Sequence, residues 1–203
     1  MGVRVSEFAG KCQMSSSSDR PTESLLESTI AAAIRDTATV NPEGTPLQRL
    51  TDGVIIRRLI THTDSRGTVT ELFDQRWGEQ KDPLVFCYTF TIRPGTAKGW
   101  NLHRRHQDRY ALLQGDMELV LFDPRPASPT YGQVCRIVLS KYDRCLVNVP
   151  IDVWHADHNI GTDDVVVVNF PTIAYDHAAP DKWRLPLDTP LIPHRFPVGT
   201  KGG

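Results

Sequence analysis

The residues best suited to chemistry lie in two short stretches of the chain. Asn101 and His103 are two positions apart, and alternate side chains of a strand share a face. Both would therefore look into the same space, with His155 reaching it from another strand. Arg109 and Tyr110 open the next apolar run. Imidazole exchanges protons near neutral pH, and a fixed guanidinium can hold charge that develops on a carbonyl oxygen. Lined further by Trp100 or Tyr175, such a pocket has polar groups converging in an apolar cup, as ligand sites do. A second chemistry is open to the same residues. His103, His155 and Asp108 form a two-imidazole, one-carboxylate set of the kind that holds non-haem iron, with Asn101 or water completing the shell.

These side chains need strands to aim them, and the sequence supplies many. From Gly44 onward, short β-branched and aromatic runs alternate with turn signals. Val54–Ile60, Thr68–Phe73, Leu84–Ile92, Arg109–Gln114, Met117–Phe122, Gln133–Leu139, Cys145–Val149, Val153–Ile160 and Val165–Phe170 read as strands. Gln114-Gly115-Asp116 is a tight hairpin signal. The class is all-β, a sandwich or barrel spanning residues 46–203, with a proline-rich segment after Pro171 wrapping over the barrel mouth. Residues 1–45 read as an extension, low in complexity to about residue 20 and helical in pattern over residues 22–40.

With 203 residues and a formal net charge of −1, a nucleic-acid-coating surface is not expected. No segment has the apolar length of a membrane span, and the N-terminal stretch lacks the apolar core of a secretory signal. Cys12, Cys87, Cys135 and Cys145 show no C-x-x-C spacing, and the last three lie in apolar runs. They read as small buried side chains in a reducing cytoplasm.

Gly95, Asn101, His103, Asp108 and Gly115 keep the spacing of the first cupin motif, and Pro150, Asp152, His155 and Asn159 that of the second. The chain thus resembles the cupins, jelly-roll antiparallel β-barrels. Within them it is similar to the dTDP-4-dehydrorhamnose 3,5-epimerase family, through Asp64-Ser65-Arg66-Gly67 with Glu71, Lys98-Gly99-Trp100-Asn101, Asp123 and Arg125 with Ser128-Pro129-Thr130-Tyr131-Gly132, and Val149-Pro150 through His155. The resemblance implies proton removal and return beside the ketone of a 4-keto-6-deoxy sugar nucleotide, in a homodimer and without a cofactor or metal. It places the family's base on Asn101, its active-site Lys on Arg109 and its acid Tyr on Asn169, six residues before Tyr175. Two of those three groups cannot carry a proton in transit. The expected catalytic set is then His103 as base, Arg109 as electrostatic stabiliser and Tyr175 or Tyr110 as acid, with Asn101 and Asn169 at the altered positions. Arg66, Glu71, Lys98, Trp100 and His155 are expected to bind substrate, Arg66 and Glu71 from the neighbouring subunit. Asp123 and Arg125 read as structural. A metal-dependent cupin enzyme, a non-catalytic sugar-nucleotide binder and an enzyme acting on another small carbonyl compound are the alternatives.

Overall fold

The computed structural model describes residues 24–203, so the expectations for residues 1–20 and for Cys12 fall outside the described residues. The chain forms two compact units, Met1–Gln48 and Arg49–Gly203. In the first, helix α1 (Leu25–Ala32) begins at Ser24, whose hydroxyl accepts the Glu27 amide at 3.2 Å, the usual way of satisfying a first-turn N–H. The helix is shorter than the pattern over residues 22–40 suggests. A bridge between Val40 and Pro46 follows it, around a turn in which Asn41 Oδ1 accepts the Thr45 amide at 2.7 Å.

The second unit is a jelly-roll of two facing antiparallel sheets. One has the order β1 (Ile55–Arg58), β9 (Cys145–Val149), β6 (Asp108–Gln114), β11 (Val165–Asn169), β4 (Tyr88–Ile92). The other has the order β12 (Trp183–Arg184), β5 (Thr96–Leu102), β10 (Trp154–Asn159), β7 (Asp116–Phe122), β8 (Val134–Ser140), and β13 (Lys201–Gly202) lies parallel to β5. β2 (Thr61–Asp64) and β3 (Gly67–Thr70) form a separate exposed hairpin. The nine runs expected to be strands correspond to β1, β3, β4 and β6–β11.

Strand alternation sorts the apolar side chains into three groups. Leu112, Met117, Leu119, Leu121, Val147 and Val167 fill the space between the sheets. Each such side chain contributes roughly 1.5–3 kcal/mol by leaving water. On the outer face of the β6 sheet, Ala111, Leu146, Val168 and Phe170 pack under Leu72, Phe73 and Trp77. On the outer face of the β10 sheet, Trp100, Val120 and Ala156 pack under Leu185, Ile192 and Phe196 from the C-terminal segment. That segment is held by backbone pairing at β12 and β13, so it is more regular than its proline content suggests. Cys135 and Cys145 are buried as expected, whereas Cys87 is exposed.

The block from Asp123 to Gly132 is a loop built around one carboxylate. Asp123 is fully buried and accepts from the Arg125 amide and guanidinium, Ser128 Oγ and Thr130 Oγ1. Burial alone would raise its pKa, but these hydrogen bonds outweigh that and hold the carboxyl far below its ordinary value. Asp123 and Arg125 therefore fix a turn, well supplied with partners of their own.

Candidate active site

A β-bulge prepares the interior. Along β10, His155 pairs with Asn101 and Asp157 with Lys98, so two steps on one strand match three on the other. The extra residue on β5 lets Lys98 and Asn101, an odd number of positions apart, line one chamber. Gly99 makes this feasible. It has φ +136°, and a Cβ there would lie 2.7 Å from Ala156 Cα, so only glycine fits against β10.

The centre of the site is Asp108 on β6, 2% exposed. Its Oδ2 accepts the Tyr110 hydroxyl at 2.9 Å and faces His103 Nε2 at 3.1 Å and His155 Nε2 at 3.4 Å. Its Oδ1 accepts Asn169 Nδ2 at 2.7 Å, with His106 Nε2 at 3.7 Å. Burial would raise this carboxyl, but the hydrogen bonds from His103 and His155 win and hold it well below 3.8. The His103 ring is also held from its other side, where Nδ1 meets the carbonyl oxygen of Asp181. Acceptors at both nitrogens favour the protonated ring. Burial opposes that charge, yet the Asp108 interactions overcome it and raise the His103 pKa above its ordinary value. His106 sits 4.1 Å away, ring centre to ring centre, with Nδ1 on Asp181 Oδ2 at 2.9 Å. Desolvation first, then the neighbouring His103 charge, lowers its pKa.

Two cavities with three lining residues in common lie beside this cluster. The inner one, about 100 Å³, is lined by Tyr88, Phe90, Lys98, Asn101, His103, Asp108, Tyr110, Asp157 and Lys182. The outer one, about 320 Å³, shares Tyr88, His103 and Lys182 with it. Arg105, His106 and Arg184 add positive or ionisable groups to the outer cavity, and Phe86, Ile173 and Tyr175 give it apolar walls. The post-Pro171 segment supplies much of this lining, as expected of a strap over the mouth.

The structure gathers His103, Asn101, His155, Lys98 and Asn169 at this site and Tyr175 at its outer rim, where Tyr175 is 45% exposed. It removes two expected members. Arg109 lies between the inward-facing Asp108 and Tyr110 and so points to the other side of the sheet. Its guanidinium donates to the carbonyls of Asp82, Pro83 and Phe170 and lies 4.7 Å from the centre of the Phe73 ring. It is a structural clamp and stabilises nothing in the cavity. Trp100 is turned outward by the bulge and is fully buried beneath Ile192 and Phe196, so it does not touch either cavity. His103, expected as a base, has both nitrogens directed at acceptors, Asp108 and the Asp181 carbonyl. Arg66 and Glu71 belong to or follow the exposed hairpin, Arg66 pairing with Asp64 at 2.6 Å. Sequence reading missed Tyr88, Asp157, Asp181, Lys182, Arg105, Arg184 and His106. For Asp157 a signal was available, since it follows His155 by two in a strand and so shares its face.

Among the described residues, two clusters place three ligand-type atoms within 4.8 Å of one another, His103 with Asp108 and His155, and His103 with His106 and Asp181. In the first, both oxygens of Asp108 already accept from Tyr110, Asn169 and His103. A metal ion would have to displace those hydrogen bonds, so the donor set fits a carboxylate compensated by protons better than a metal centre.

The sequence profile of the dTDP-4-dehydrorhamnose 3,5-epimerase family matches residues 49–185. A probable low-salt glycan biosynthesis epimerase from Haloferax volcanii is 32% identical over 137 residues, covering 66% of this chain and 87% of that protein. The spore coat polysaccharide biosynthesis protein SpsL of Bacillus subtilis is 27% identical over 143 residues, covering 70% and 93%. Among solved structures, a dTDP sugar isomerase from Desulfovibrio desulfuricans superposes with a TM-score of 0.66 at 24% identity, over 71% of this chain and 90% of that one. RmlC from Legionella pneumophila, in complex with dTDP-4-keto-L-rhamnose, gives 0.66 at 18%, over 77% and 86%. At these identities the superpositions establish the jelly-roll fold.

Proposed function

The chain belongs to the dTDP-4-dehydrorhamnose 3,5-epimerase family, and from that premise we propose that it epimerises or isomerises a 4-keto-6-deoxy sugar nucleotide by moving protons on carbons next to the ketone. The observation that carries this reading is the pair of cavities sharing Tyr88, His103 and Lys182. The outer one suits a nucleoside diphosphate, with Arg105, Arg184 and Lys182 for the phosphates and Phe86 and Tyr175 beside the base. The inner one suits the sugar ring.

In this arrangement the ketone lies toward Lys182 and the His103 imidazolium. Both are cationic, and both favour the enolate that forms when a neighbouring C–H bond ionises. Asp108 and the Asp181 carbonyl fix His103, and Asp108 raises its pKa. Tyr88 is the proton donor for the opposite face. Its hydroxyl accepts Asn169 Nδ2 at 2.9 Å, and its own proton has no acceptor among the described residues. Burial, then the Asp108 charge, pushes its pKa up to about 12, so it keeps its proton until an enolate takes it. Tyr110 is unsuited to that task because its proton is given to Asp108.

The working form is a cytoplasmic homodimer. The exposed β2–β3 hairpin, carrying Arg66 and leading to Glu71, extends to the partner's nucleotide. The test is incubation with dTDP-4-keto-6-deoxyglucose and chromatographic and NMR identification of the product. We expect a diastereomer or keto isomer of the substrate, formed only with protein present and suppressed by added dTDP. Quantitative recovery of the starting sugar at saturating substrate would overturn the reading.

A further inference from the structure

Proton removal needs a group with a free lone pair, and the inner cavity offers few. Asn101 has no basic atom. Both nitrogens of His103 are directed at other groups, Asp108 and the Asp181 carbonyl, and not into the cavity. His155 faces Val153 O at 3.3 Å and Asp108 at 3.4 Å. Asp108 is filled by donors and stays ionised far below neutrality, so it cannot hold a proton at working pH. The Tyr110 proton is bound to Asp108.

Asp157 differs from all of these. It lies on β10 two residues beyond His155, is 2% exposed, and lines the inner cavity opposite Lys98. Its Oδ1 is buried with no hydrogen-bond partner among the described residues, a condition that ordinarily destabilises a fold and calls for an explanation. Lys98 and Lys182 line the same cavity and draw its charge toward it.

We propose that Asp157 is the base that removes the proton beside the ketone, in place of the base absent at Asn101. The assignment rests on the epimerase reading above. As a carboxylate, Asp157 takes the proton from carbon. The C–H electron pair becomes the enolate double bond, and the carbonyl π pair moves to the oxygen facing Lys182 and His103. Tyr88 then gives its proton to the other face of the carbon, and the carbonyl re-forms. Asp157 releases its proton to water and Tyr88 regains one from water through the cavity mouth, so no atom or electron is left over. Burial first, and then the Asp108 charge, pushes the Asp157 carboxyl up to about 8, near the value at which a general base works best.

The test compares native protein and Asp157→Asn for exchange of sugar protons in D₂O, using dTDP-4-keto-6-deoxyglucose, with dTDP affinity measured on both. The expected result is at least a 10²-fold loss of exchange in the variant, with dTDP affinity unchanged within about threefold. Asp157→Glu, which keeps a carboxyl, should retain measurable exchange. Exchange in Asp157→Asn within about fivefold of native would overturn the base assignment and leave the epimerase reading standing. Absence of exchange in the native protein would instead remove the epimerase reading and the base with it.

Discussion

Replacing Asp108 by asparagine should destabilise the protein by about 3–5 kcal/mol, the usual consequence of removing one partner from a buried charge cluster. For a chain of this size that lowers the melting temperature by roughly 10 °C or more. Asparagine keeps the shape but loses the charge that raises the His103 pKa, and its amide nitrogen faces donors where an acceptor stood. The pH dependence gives a second handle. Asp108 has a folded pKa below its unfolded value, so its contribution is complete above about pH 4 and is lost as pH falls through the folded value. The His103 contribution has the opposite sign, since its pKa is raised. It is complete below the unfolded value near 6.5 and is lost as pH rises through the folded one. Asp108→Asn should flatten both arms. Thermal unfolding across pH 3 to 9 measures this. A variant within about 1 kcal/mol of native at pH 6 would mean that the cluster is not held by its carboxylate.

The second large effect should come from Lys182→Met. Lys182 reaches the junction of the two cavities, and desolvation, followed by repulsion from Arg184, lowers its pKa. If its charge meets the enolate oxygen, the lost stabilisation exists mainly in the transition state. The expected fall is about 10²–10³-fold in kcat, the scale found for single charge-stabilising donors. KM should change much less, because Arg105 and Arg184 remain for the diphosphate. A kcat within about threefold of native, or a loss confined to KM, would reassign Lys182 to substrate binding alone.

Much of the barrel was legible because its strands alternate cleanly and are separated by glycine-containing turns. Only the end of β5 around Asn101 was read as extended, since Ala97, Lys98 and Gly99 have little preference for strands. Its place is set by pairing with β10 and by the close approach that only Gly99 allows. The bulge at that point also explains why Trp100 was misassigned, as strict alternation cannot follow an extra residue. Arg109 is a different case. Asp108 and Tyr110 flank it, so period two already places it on the opposite face, and the outward direction could have been read. The cations at Lys182 and Arg184 were hidden for another reason. They lie in a segment whose path depends on docking against β5, some 80 positions earlier in sequence, and local pattern carries no such information. Asp157 looked like an ordinary polar residue after a motif histidine. Period two already puts it on the face of His155, but its depth and its partnerless oxygen show only in the fold.

The central claim is that this protein ionises a C–H bond next to a sugar ketone. The most direct measurement is to incubate the native protein with dTDP-4-keto-6-deoxyglucose in D₂O and follow the sugar protons by NMR. The account predicts protein-dependent loss of the signal at a carbon adjacent to C4. Full retention of those signals, with dTDP demonstrably bound to the same preparation, would contradict it.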